Sequence, residues 1–488
     1  MLRHGAAVPH HVANSPQRRR SHFYQWFENG RNKSDRRFLR HPLTLVVMGS
    51  ARGRRVGACL AAGVLLSVVV GCTPNWASES SESGEQVVRV PQDAPTINDG
   101  IDLVASGGLV LVSPGTYAEE VTIDKPDVTV RGVDRNATVI DGGGTRAFGV
   151  FASAAGVRIE NLTVHSTLFY GVLVTGMHDE NGPLAHGGPG YTELDPAEFP
   201  PVERFSVSHV TAYNNGLYGI YAFNARHGSI TDSYASGSAD SGFYVGQCEE
   251  CDILVAGNVA ERNAIGFENA NASDSLTIAG NRFAGNRIGM TLISNYQEAF
   301  TPQRGNTVAG NLITANSSSD SPAHALGGFG IGLAVTGGQV NRITGNRIEG
   351  NPVAGILLGN AEDIPALGNE FTANVLAANG VDAADVSAAR TPASGNCFDD
   401  NSATSSSPPE LLAIACPADT STIGATTLPQ VAVPNGMSFL KVPVPPAQPG
   451  MTNIETVPSP LPASVDMPAV SDFSVPDAGL LADRAAQG

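Results

Sequence analysis

Residues 276–294 read LTIAGNRFAGNRIGMTLIS. Three short runs, LTIA, RFA and IGMTLI, are separated by Gly-Asn pairs. Apolar residues alternate within each run, as half-buried strands require. Gly-Asn between two such runs is turn chemistry. The stretch therefore spells strand, turn, strand, turn, strand in 19 residues. That is too little for a propeller blade, and it lacks the LxxLxL signature of a leucine-rich repeat.

The same spelling recurs in both directions. Glycines opening the third run stand at Gly219, Gly242, Gly266, Gly289, Gly332 and Gly355, in steps of 23, 24, 23, 43 and 23. The Asn of the first pair stands at Asn258, Asn281, Asn311, Asn346 and Asn369, in steps of 23, 30, 35 and 23. A further series, Asn263, Asn286, Asn316, Asn351 and Asn374, repeats those steps. Units of about 23 residues with three short strands predict an all-β solenoid, the right-handed single-stranded parallel β-helix. Each coil buries its inward side chains against its neighbours. Asn at a fixed turn is expected to take a left-handed backbone and to hydrogen-bond along the stack.

The open end of such a rod needs a cap. Residues 87–132 supply one: TINDGIDLVA reads as a short amphipathic helix, followed by the strands LVLVSPGTY and VTIDKPDVTVRG. This entry resembles that of the pectin-lyase-like β-helix proteins, including the pectin esterases and the periplasmic copper-delivery (NosD-like) group. The resemblance extends over about residues 87–400 and implies the fold with an N-terminal helical cap. It implies little about activity, since one scaffold hosts many functions.

Composition divides the 488 residues further. Residues 1–71 hold 12 of the 29 basic residues and two acids, while the rest of the chain carries a net charge of −27. An acidic body excludes nucleic acid as the partner. Residues 52–55, RGRR, precede an uncharged run from Val56 to Gly71 that is short for a bilayer span. Val69-Val70-Gly71-Cys72 resembles the bacterial lipobox, which implies export and diacylation of Cys72. Met48 suits a later start, which would leave 1–47 outside the protein. Residues 72–86 read as a flexible tether, 87–416 as the β-helix, and the Pro-, Ala- and Ser-rich 417–488 as a mostly disordered tail.

An exported chain meets an oxidising compartment, so disulfides Cys248–Cys251 and Cys397–Cys416 are expected. Cys248-x-x-Cys251 also fits a redox pair or half a metal site. No second CxxC completes a zinc site. No metal or other cofactor is expected; Asp179 and Asn181 could ligate Ca²⁺, without the rest of an EF-hand loop.

Insertions locate the working surface. Residues 176–204 and 295–305 both leave after the third strand, so they line one edge; 317–329 leaves from another turn. With Ile220, Phe243, Phe267 and Met290 inward, Tyr221, Phe223, Tyr244 and Glu268 point outward beside that wall. Exposed aromatics beside a carboxylate suit a polysaccharide. Packing beneath the long insertion is the bland alternative. Hydrolysis would need two flanking carboxylates, and Glu268 with Asp179, Glu180, Glu193 or Asp195 are candidates. His178, His186 and His227 are candidate bases or metal ligands, though their spacing matches no compact metal motif. The polygalacturonase, pectate-lyase and alginate-epimerase signatures are absent. No Lys lies between Lys125 and Lys441. The reading is a monomeric, lipid-anchored β-helix on the outer membrane face that binds, and at most processes, a polysaccharide. The alternative is a non-catalytic structural or protein-contact envelope protein.

Overall fold

The computed structural model describes residues 84–184, 193–325, 327–419 and 428–486. The export segment, Cys72, the tether up to residue 83 and His186 lie outside these residues. The decisive stretch folds as three strands, Leu276–Ala279, Arg282–Ala284 and Ile288–Ile293. Each pairs in parallel with the equivalent strand of the coils before and after it. Repetition builds three parallel sheets of 12, 10 and 11 strands among the described residues, here the first, second and third faces in chain order. The fold is a right-handed parallel β-helix.

The core is a rod of stacked rows. Ile220, Phe243, Phe267, Met290 and Leu333 occupy one register row and are buried inside. At one end the helix Ile97–Leu103 closes the first coil. Thr96 caps it by accepting from the Asp99 amide, and Ile97 and Ile101 enter the core. Gly100 is required there, because a Cβ would sit 2.9 Å from Val90 Cγ2. No helix among the described residues is long and apolar enough to cross a membrane.

The Asn series form buried ladders, with two differences from the spacing. The left-handed residue is the one before each Asn: a glycine in the first series, with φ of +65° at Gly257 and +62° at Gly280, and in the second series also Arg262, Ala315 and Ala373. This frees the Asn to bond its amide to the next coil. The last step of each series also crosses to another ladder. Asn258, Asn281, Asn311 and Asn346 continue to Asn374 and Asn401. Asn369 instead joins Asn306, Asn341 and Asn396 at the turn into the first face. The series through Asn351 ends at Asn379. Gly368-Asn369 copies the local spelling of Gly345-Asn346 while occupying a different corner of its coil.

Residues 428–486 correct the expectation of a disordered tail. They run along the rod mostly in extended backbone, with 3-10 turns at Phe439–Lys441 and Val470–Asp472 and a run of turns over 478–484. Outward arginines hold them: Arg131 donates to the carbonyls of Ile454 and Thr456, Arg158 to Ser459, and Arg347 to Pro476. A proline-rich strand has no internal hydrogen bonds, so its carbonyls are free for such donors. Composition registered the missing core-forming residues but not a preformed surface that receives them. Two disulfides, Cys248–Cys251 and Cys397–Cys416, lie at the turn after a third-face strand and at the last coil.

Candidate functional site

The pleat places Tyr221, Phe223 and Tyr244 on the outside of the third face, and the loops then cover them. Tyr221 is 0% exposed and Tyr244 1% exposed. With Phe151, Tyr170, Met177, Phe199 and Tyr218 they form a closed outer cluster. Tyr221 and Tyr244 meet edge to face at 4.8 Å. Met177 and Phe199 come from the first long insertion, and Leu184 and Leu194 pack above. The second insertion contributes Glu298, whose carboxylate accepts from the Tyr244 hydroxyl. The expected aromatic platform is therefore a second hydrophobic core. Inserted residues with their own apolar side chains gain more by burying these rings than by leaving them to water.

Glu268 lies next to Tyr244 in register and is 8% exposed. It does not face the loop acids. Its carboxyl group is hydrogen-bonded to Ser241 Oγ, which also lies 3.1 Å from Asp240 Oδ1; the single hydroxyl proton suits the Asp240 carboxylate, with the protonated Glu268 donating to Oγ. From the third insertion His324 places Nε2 at 3.4 Å from Asp240 Oδ1, and its Nδ1 lies 3.2 Å from the Gly327 carbonyl. Burial, then the Asp240 charge, pushes Glu268 up to about 8. Burial disfavours the His324 cation, yet Asp240 lifts it to about 9. Burial alone would raise Asp240, but the imidazolium holds it below the usual carboxylate range. At neutral pH the cluster is thus a neutral acid beside a carboxylate–imidazolium pair.

Two polar groups nearby lack hydrogen-bond partners among the described residues. Thr291 Oγ1 follows Glu268 in register, and Arg287 Nη2 lies under the same insertion. The Arg287 Nε donates to Ser321 Oγ at 3.0 Å, and its guanidinium stands over Phe329. Asp240, His324 and Arg287 are functional candidates that sequence reasoning missed. Only the 317–329 insertion hinted at them.

The remaining expected residues are scattered. Asp179 and Glu180 are exposed in the hairpin of His178–Asp179 with Gly182–Pro183, where Asp179 Oδ1 accepts the Asn181 amide. That bond is an ordinary turn, and the hairpin offers no cation cage, so the Ca²⁺ expectation has no support. His178 packs its edge on Phe151. Glu193 is exposed, and Asp195 accepts the Ala197 amide. His227 lies on the first face between Asp252, at 2.9 Å, and Glu203, at 3.5 Å. A cavity lined by Phe398, Asp399, Asn401 and Leu412 lies away from this cluster, at the last coil.

Residues 101–325 match the family model described as periplasmic copper-binding protein (NosD). No curated protein matches the chain. Among solved structures, the chain is similar to the A-module of mannuronan C-5 epimerase AlgE6 from Azotobacter vinelandii, at 16% identity. That alignment covers 62% of this chain and 88% of the module, with a TM-score of 0.46. It is similar to pectate lyase Pel9A at 14% identity, covering 55% and 77%, with a TM-score of 0.36. DFA-IIIase from Arthrobacter chlorophenolicus A6 gives 14%, 60% and 83%, with a TM-score of 0.39.

Copper does not fit the donor set described here. The four rod cysteines are paired in disulfides, Met177 Sδ accepts from Gln247, and Met290 is in the core. Among the described residues no three His, Cys, Asp or Glu side chains are arranged to hold a metal ion. What the three parallel sheets and the capping helix carry is the fold: the chain is a right-handed parallel β-helix, and its residues 101–325 are similar to the NosD family model.

Proposed function

We propose that the chain is an exported, lipid-anchored, monomeric β-helix of the cell envelope that works as a non-catalytic contact scaffold. One observation carries this reading: the outward row of the third face is sealed, with Tyr221 and Tyr244 buried under the chain's own loops. A ring inside a closed cluster offers no face to a sugar. The carboxylates argue the same way. Asp240 and Glu268 are bridged by one serine hydroxyl. Glycoside hydrolysis needs carboxyls about 5–9.5 Å apart with the substrate between them. Export is supported by the basic head, the apolar run before Cys72, and two disulfides. The periplasmic label of the matching family model agrees with it.

One observation favours a second reading, polysaccharide processing. Glu268 is a protonated acid at neutral pH beside an ionised Asp240, the division of labour that acid–base catalysis uses. That reading requires the 317–329 insertion to lift. A glycan array with reducing-end and unsaturated-product assays on the mature protein separates the two. The scaffold reading expects neither binding nor product. A product lost in Glu268→Gln would replace it with the second.

A further inference from the structure

The tail takes a definite route over the rod. Leu428 and Val431 pack on the outside of the third face, against the cluster around Ile288, Ile331 and Leu357. Asn214 donates to the Val442 carbonyl and Arg135 to that of Pro449. The strand then follows the first face past Arg131, Arg158 and Arg204, which reach the carbonyls of residues 454, 456, 459 and 461. It crosses to Arg347 and returns past Arg282, which donates to the carbonyls of Ala478 and Leu480. Arg484 finishes it, donating to the carbonyls of Gly257 and Ser233.

Two features make this more than a folded terminus. The rod's donors read backbone carbonyls, which every polypeptide has, and not tail side chains. The inner core of the rod, from Val88 to Leu411, includes no tail residue. The arginines, moreover, are oriented by rod acids. Arg131 is held by Glu160, Arg204 by Asp127 and Arg347 by Glu349. Their forks are therefore set by the coils that carry them. A fixed row of guanidinium donors selects for an extended chain with unpaired carbonyls, which is the polyproline conformation.

We propose that this arginine track is a docking site for extended, proline-rich segments of partner polypeptides, and that the chain's own tail is its resident occupant. The inference rests on the scaffold reading and names the class of partner that the scaffold takes. Tethering gives the tail an effective concentration of about millimolar, so a partner competes only when it is abundant or the tail is released.

The test uses the full chain with a protease site placed between residues 419 and 428, cut after purification. The cut tail is expected to stay with the rod and to leave on dilution. The freed rod then binds a labelled peptide of residues 442–465 at one to one. It also binds an unrelated proline-rich peptide of equal length within about tenfold, but not a Gly/Ser peptide. Arg158→Gln with Arg204→Gln, whose carbonyl partners at 459 and 461 lie within the peptide, lowers both affinities at least fivefold, with the circular dichroism of the rod unchanged. Binding of the cognate peptide alone would make the contact a private latch and overturn the proposal. Failure of every peptide to bind a folded rod would overturn it as well. Neither failure touches the scaffold reading, which stands or falls on the glycan and product assays.

Discussion

His324 Nε2 lies 3.4 Å from Asp240 Oδ1, so an imidazole carried by the 317–329 insertion closes over a carboxylate of the third face. The pair makes the insertion's seat dependent on protonation. His324 is raised to about 9 in the folded chain, above the ordinary value of 6.5. Its contribution is therefore complete below about pH 6.5 and is lost as pH rises through 9. Glu268, raised to about 8, acts in the same direction: the folded state keeps a proton that the unfolded chain has already lost. Asp240, held low, contributes in the opposite direction, and its share is lost only in acid. Stability should thus begin to fall near pH 4.5, where unfolded Glu268 ionises, and steepen from 6.5 to about 9 as His324 joins, with amide exchange in 317–329 quickening first. Thermal melts across that range check the fall. A melt in which Glu268→Gln with His324→Gln keeps the full wild-type slope would remove this explanation.

Tyr244 should behave as a core residue. It is buried, meets Tyr218 and Tyr221 at 4.7 and 4.8 Å, and its hydroxyl bonds Glu298. Tyr244→Ala should cost about 3–5 kcal/mol in urea unfolding, as aromatic truncations in packed interiors do. Tyr244→Phe should cost about 1–2 kcal/mol, because it removes the hydroxyl that donates to the Glu298 carboxylate. A Tyr244→Ala chain of wild-type stability would mean that the cluster is not closed in solution.

The anchor is testable without structure. A diacylated Cys72 gives stable membrane attachment, whereas one acyl chain binds only marginally. Cys72→Ser should move the exported protein from the membrane to the soluble fraction, with the β-helix circular dichroism unchanged. Retention in the membrane pellet after a high-salt wash would exclude lipidation as the tether.

The rod was legible because its signal is periodic. Gly266, Gly289 and their equivalents mark the coil, and alternation within the third strand assigned Phe267 inward and Glu268 outward. The site was less legible, because a side chain's pleat face does not decide its exposure. Tyr221 points outward and is still buried, because Met177 and Phe199 come from an insertion whose path no periodicity specifies. Asp240 carries no motif, and its partner His324 is brought to it by a loop. The tail was misread because proline-rich composition reports only that a segment builds no core of its own. Arg131 and Arg158 supply what it lacks, and no motif or spacing in the sequence marks them.

Asn281 tests how much of the rod's stability resides in its ladders. Its amide nitrogen donates to Asn311 Oδ1, and its Nδ2 reaches the carbonyls of Val255 and Ala279. Its Oδ1 accepts both the backbone and side-chain N–H of Asn258. Asn281→Ala removes the side-chain bonds together and leaves buried groups unpaired on two coils, each costing about 1–3 kcal/mol. The expected loss is about 3–5 kcal/mol, measured by denaturant unfolding. Asn401 makes similar bonds at the half-buried end of the same ladder, where water can replace them. Asn401→Ala should therefore cost only about 1 kcal/mol. Equal losses at the two sites would mean that the ladder is not protected from water along its length. Asn281→Asp is the sharper variant: it keeps the shape but replaces two donors with a charge in a dry stack. Its destabilisation should exceed that of alanine above pH 6 and shrink on acidification, when the carboxyl regains a proton.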